Sequence, residues 1–211
     1  MSYLLKKNFI LMKFIVCFVL INFYILISSS TFADVKNKEM DYVYKLLQEK
    51  KFAEGIEQLK ILSSNNNINA QLLYSKILFS GDLIPQDFES SYFWASSAFL
   101  GGLKKSQKII DKLDDYLTEK QINSIKDKIK IFLEKRAFIK DKRAIIQIAK
   151  FYEGYIDPPD MINAYTWYNI AVANGIKTAK NKRNETLSEL NQKDLLEAQT
   201  LSIKLFKQIN N

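Results

Sequence analysis

A chain of 211 residues that is 47% hydrophobic and 26% charged is globular rather than disordered, and long enough for one substantial core or a short stack of repeats. Only six glycines and three prolines punctuate it, which argues against a sandwich of short, turn-linked strands and favours long helices. There is no histidine and Cys17 is the sole cysteine, so much zinc, haem and thiol chemistry loses its usual ligands and nucleophiles in a chain of net charge +8.

The first predicted element is a leader. Lys6, Lys7 and Lys13 precede an apolar run from Phe14 to Ile27, and Ser28, Ser29, Ser30, Thr31 and Ala33 follow it. A basic start, a short apolar core and small residues at its end make a secretory signal peptide. Cleavage is expected near Ala33, before Asp34, which makes the protein periplasmic or secreted; Met12 is an alternative start that shortens the leader. If the leader stays, it is a membrane anchor, since Phe9 to Ile27 is near spanning length. Cys17 lies mid-run, outside the small-residue setting of a lipid-attachment site. Removing a leader with three lysines and no acid leaves a mature charge of +5.

Residues 34–68 read as an N-terminal helix pair. Val43, Leu46 and Leu47 belong to its first helix, and Phe52, Ile56, Leu59 and Leu62 to its second. Residues 63–67, two serines and three asparagines, are a polar break.

From there the chain repeats with a period of 73 residues, giving modules 69–141 and 142–211. Gly81 falls on Gly154, Pro85 on Pro158, Asp87 on Asp160, Tyr92 on Tyr165, Trp94 on Trp167, Ala98 on Ala171 and Gly102 on Gly175, without a gap. Each match has a local reading. Gly81 and Gly154 are expected to stop the first helix of each module. Asp87 and Asp160 are expected to cap the second, Phe88–Leu100 and Met161–Asn174. Gly102 and Gly175 close that helix. A third helix is expected to run to about Leu117 or Leu190. Thr118 with Gln121 is a capping-box pattern opening a fourth, and Asn191 with Asp194 is its looser counterpart. The fourth helices carry Ile122, Ile125, Ile129 and Phe132, and Leu195, Ala198, Leu201 and Leu205, on one face.

The segment Asp160–Gly175, with its aspartate, alanine, tryptophan, alanine pair and glycine, resembles the second half of a Sel-one-like repeat, a relative of the tetratricopeptide repeat. Ala149–Gly154 resembles the first half. The first copy is looser, with Ser91 and Phe99 where the family pattern has alanine. This resemblance implies an all-α, right-handed solenoid of antiparallel helix pairs, about ten helices in all, each pair burying its face against its neighbours. It also implies a scaffold that binds a protein or peptide in a groove lined mainly by the first helix of each pair. Cysteine-rich relatives carry helix-pair disulfides, which a cysteine-free mature chain does not have.

Trp94 and Trp167 are read as inter-helix packing, with partner anchoring as the alternative. Residues 120–143 hold nine basic and three acidic side chains, but Lys126, Lys128 and Lys130 point around a helix rather than along a stripe, so a solvated face is expected. Asp114 with Asp115, and Asp157 with Asp160, fit helix ends better than a catalytic pair. Tyr152, Tyr155 and Tyr168, near Pro158 and Pro159, form the candidate partner-contact patch, tyrosine being apolar at one end and wet at the other. No catalytic, cofactor or metal residue is assigned. The expected function is a non-catalytic, exported adaptor for a protein or peptide, with no cofactor and no nucleic acid, and with a membrane only if the leader is uncleaved. A repeat-based envelope hydrolase and a membrane-anchored structural factor are the alternatives.

Overall fold

The computed structural model describes residues 38–210, so the expected leader, Cys17 and the cleavage position lie outside the described residues. The described residues divide into two units, one ending at Lys51 and the other beginning at Phe52. In the first, residues 38–48 form helix α1, with Met40, Val43 and Leu46 buried at the three-residue spacing of one helical stripe.

The second unit contains α2 (Phe52–Ser64), α3 (Ile68–Ser80), α4 (Phe88–Leu100), α5 (Gln107–Leu113), α6 (Glu119–Phe138), α7 (Lys142–Lys150), α8 (Met161–Ala173), α9 (Ala179–Ser188) and α10 (Gln192–Asn210). A short 3-10 turn, Lys104–Ser106, leads into α5. No strand occurs among the described residues. Helices pack against their neighbours in sequence: α2 on α3, α3 on α4, α4 on α5 and α6, α6 on α7, α7 on α8, and α8 on α9 and α10. Between layers, α4 packs on α7 and α6 on α10. Burial shared almost wholly between adjacent pairs is the arrangement of an all-α solenoid.

The caps explain why helices begin where they do. Asp87 accepts from Ser90 N, and Asp160 from Asn163 N, each at 2.9 Å, so the two aspartates of the repeat open α4 and α8 alike. Thr118 and Gln121 form the complete capping box of α6. Asn191 Oδ1 accepts from Asp194 N at 3.0 Å and opens α10. The third helices end at Leu113 and Ser188, short of the expected Leu117 and Leu190, because the residues beyond them turn toward these caps.

Gly81 closes α3 in the left-handed conformation, φ +73°, with its N–H on Ile77 O. Gly154 does not do the same for α7. The chain continues through a π-helical turn, Phe151–Tyr155, so Gly154 lies inside helical backbone with no left-handed φ. The matched glycines therefore end different structures, a correction to the expected symmetry. The close approach that does require glycine is at Gly101, where a Cβ would lie 2.3 Å from Ile68 Cγ2.

A buried polar network ties the α2–α3 turn to the body. Asn66 Nδ2 donates to Gln147 Oε1 at 2.6 Å and to Asp141 Oδ2 at 3.2 Å. Gln147 Nε2 donates to Ser97 O at 2.9 Å. Arg143 donates to Asn66 O at 2.7 Å, and Arg136 pairs with Asp141 at 3.0 Å while donating to Asn65 O. Most buried polar groups here have a partner, as burial demands; Ser63 Oγ and Gln71 Oε1 do not.

Candidate functional site

The three tyrosines expected as a contact patch do not form one. Tyr168 is 1% exposed, and its hydroxyl donates to Glu153 Oε2 at 2.5 Å. Burial first, then that hydrogen bond and the Glu153 charge, hold its phenol well above the ordinary range. It is a core residue on α8, which corrects its place in the patch: the helix turns it inward beside Trp167, itself 3% exposed.

Tyr155 and Tyr152 stand on the π turn and are half-buried. Tyr155 packs its ring on Phe99 and Phe151, and its hydroxyl donates to Ser96 Oγ at 2.5 Å. Burial, reinforced by the neighbouring Tyr92, raises its phenol strongly. Lys126 Nζ lies 5.7 Å from the Tyr155 ring centre, a cation over a π face. Burial, with the charges of Glu134 and Asp160, pushes the Tyr152 phenol up to about 12. Tyr152 lines a cavity of about 340 Å³ together with Lys126, Lys130 and Asp157.

Tyr155 lines a larger cleft of about 520 Å³ where the two modules meet. Phe99, Leu100 and Tyr155 supply its apolar surface, Gly102 and Gly154 leave backbone bare along it, and Lys104, Gln107 and Lys150 bring polar ends. Phe99 is one of the two residues, with Ser91, at which the first copy departs from the alanine of the repeat pattern, and it furnishes the cleft. Neither Lys104 nor Lys150 is ion-paired among the described residues.

The other repeat residues are distributed by the solenoid rather than gathered. Ala98 and Ala171 are fully buried, where small size admits a neighbouring helix. Gly102 and Gly175 adopt positive φ just past α4 and α8. Trp94 is half-buried, edge-on to Phe93 at 4.7 Å and to Phe132 at 5.8 Å. The basic stretch 120–143 is not one surface. Arg136 and Arg143 turn inward to the α2–α3 turn, Lys128 pairs with Glu89 at 3.5 Å, and Lys126 covers Tyr155. Asp114 carries a raised carboxyl, from burial and then from Asp111 and Asp115, in a helix-end acidic cluster. Among the described residues no group of three or more His, Cys, Asp or Glu could hold a metal ion, and no helix is long and apolar enough to cross a membrane.

Two features of this site escaped the sequence reading: the π turn, which carries no residue signature, and the buried asparagine–glutamine network. Asn66 sits in a stretch whose composition says only "loop".

These features define a class: an all-α helical-repeat protein with an open cleft between modules. No family model matches the chain, and no curated protein does. Among solved structures the chain is similar to a protective antigen present in uropathogenic Escherichia coli strains displaying an SLR fold, with 15% identity and a TM-score of 0.37. That likeness covers 74% of this chain and 41% of that one, so the chain spans less than half of that protein's length. SLR denotes the Sel1-like repeat, the family whose pattern Asp160–Gly175 resembles. The fold class itself rests on the helix pairs and caps.

Proposed function

We propose that the protein is an exported, non-catalytic adaptor that holds a protein or peptide in the cleft between its modules. The cleft of about 520 Å³ at Phe99, Leu100 and Tyr155 is the observation that carries this reading. Ligand sites are concave and mostly apolar with a few placed polar groups, and this cleft has that make-up. Its apolar side chains offer burial, and its lysine ends offer orientation. No aspartate or glutamate lines the cleft. Export rests on the basic, apolar and small-residue order of residues 6–33.

The test has two arms. Sequencing the N-terminus of the protein recovered from cells should read from Asp34; an intact leader replaces export with anchoring. A tagged full chain should capture a partner from envelope extract, and Phe99→Glu, folded by circular dichroism, should lose that same partner. Capture unaffected by Phe99→Glu moves the binding surface elsewhere. A single Asp or Glu to Ala variant that abolishes function while partner binding persists replaces the adaptor with an enzyme.

A further inference from the structure

Gly154 has no structural need to be glycine. Its backbone is helical with no left-handed φ, so no conformation demands it. A Cβ built on it meets nothing within 4 Å, so no neighbour demands it either. Glycine in helical backbone costs stability relative to alanine. What its presence provides is bare, solvent-exposed main chain on the wall of the cleft. Gly102, on the same cleft, differs: its φ of +98° already accounts for it. The turn that carries Gly154 is π-helical, a form that appears mostly as single wide turns and frequently at functional sites.

The charge of the cleft is one-sided. Lys104 and Lys150 line it, no Asp or Glu does, and neither lysine has an acidic partner among the described residues. Together with these cations the cleft presents the apolar surface of Phe99, Leu100 and Tyr155. Bare main chain admits the main chain of a ligand, the rings admit one large apolar side chain, and the two cations select negative charge around it.

We propose that the cleft takes an extended acidic peptide segment, in which one large apolar side chain seats on Phe99 and Tyr155 while flanking carboxylates meet Lys104 and Lys150 and its main chain passes Gly154. This rests on the adaptor reading and gives the partner a chemistry. The volume, about 520 Å³, suits one bulky side chain and the backbone around it.

The experiment pans a randomised heptapeptide display library on the full chain, then measures a fluorescein-labelled copy of the leading sequence on variants. Selected sequences should carry a phenylalanine, tryptophan, leucine or methionine with aspartate or glutamate on both sides. Affinity for the labelled peptide should fall roughly tenfold or more in Lys104→Glu/Lys150→Glu, and should weaken in high salt. Gly154→Leu should abolish binding, while Gly154→Ala melts no lower than the parent, which separates loss of space from loss of fold. Selected peptides that are basic, or without acidic bias, overturn the proposal. So does an acidic peptide bound equally by the lysine and glycine variants. In either case the adaptor reading survives if the envelope partner is still captured. If no peptide is enriched but the partner is captured and lost on Phe99→Glu, the cleft takes a folded surface and the peptide is wrong. If no peptide is enriched and no partner is captured, both readings fall.

Discussion

The two modules share the signals that open and close their second helices, Asp87 with Asp160 and Gly102 with Gly175, and yet fill their interiors differently. In the first, α3 and α4 are joined by a reciprocal clamp: Ser75 Oγ donates to Ser91 O and Ser91 Oγ to Ser75 O, both at 2.8 Å. Shifted by 73, those serines become Ile148 and Ala164, both fully buried and both apolar. The pair has changed together, from two small polar residues to one large and one small apolar residue. Tyr74, packed on Trp94 in the first module, becomes Gln147, which joins the polar network in the second. Ala95 becomes Tyr168. Caps and turns set where each helix starts and stops, and tolerate little change in residue type. Core positions need only a total volume that packs and polar atoms that find partners. The repeat is therefore a repeat of boundaries more than of interiors.

The tryptophans sharpen this comparison most. Trp167 is 3% exposed, and Trp167→Ala should cost about 3–5 kcal/mol, as large aromatic deletions from cores do. Trp94 is half-buried against Phe93, Phe132 and Tyr74, so Trp94→Ala should cost roughly half as much. Chemical denaturation of both variants checks the ratio. Equal costs would mean that the two copies are energetically equivalent and that the difference in exposure has no consequence.

What was legible in the sequence divides along the same line. The capping aspartates, the Thr118–Gln121 box and the apolar faces of α6 and α10 follow from local rules, and these local rules carry the fold. Gly154 was misread because a glycine opposite a helix-ending glycine invites the same role, and nothing in the side chains of Phe151–Tyr155 announces a wider turn. Tyr168 was misread as surface because tyrosine suits both an interface and a core with a hydroxyl partner; only Glu153 in place decides between them. The cleft was invisible because it joins Phe99 and Lys104 to Lys150 and Tyr155, and bringing them together is a property of packing between modules.

The polar network is the next place to press. Gln147 bridges Asn66 to Ser97 O while fully buried, so Gln147→Ala should cost about 2–3 kcal/mol by leaving those groups without partners and opening a small void. Its counterpart Tyr74 makes no such bridge, and Tyr74→Phe should change stability by no more than about 0.5 kcal/mol. Thermal melts of both variants test whether the network, rather than the position in the repeat, sets the cost.

The serine clamp allows a transplant. Ser75→Ile alone should cost about 1–2 kcal/mol, because it overpacks against Ser91 and removes the Ser75 hydroxyl's bond to Ser91 O, while Ser91 Oγ keeps the main-chain carbonyl of residue 75. Adding Ser91→Ala, which installs the second module's pair, should recover at least half of that loss. A double variant as unstable as the two singles combined would show that the pairs belong to different surroundings and are not exchangeable solutions.

The smallest effect concerns alkaline pH and the position where Tyr152 replaces the first module's Phe79. The Tyr152 phenol is held at about 12 by burial and by the Glu134 and Asp160 charges, against roughly 10 in an unfolded chain. Its folded value is raised, so the contribution is fully present below pH 10 and is lost as pH climbs toward 12: the unfolded chain gives up this proton first and is favoured by doing so. Solvent at the half-exposed ring screens the effect, which we place at about 1 kcal/mol across that window. Lysines titrate in the same range, so the measurement is the difference in unfolding free energy between the parent and Tyr152→Phe, followed from pH 9 to pH 12. The variant carries the first module's residue type at that site and should lose less stability than the parent. Parallel pH profiles for the two proteins would mean that the ring is solvated like a free phenol, and that this position behaves alike in both modules.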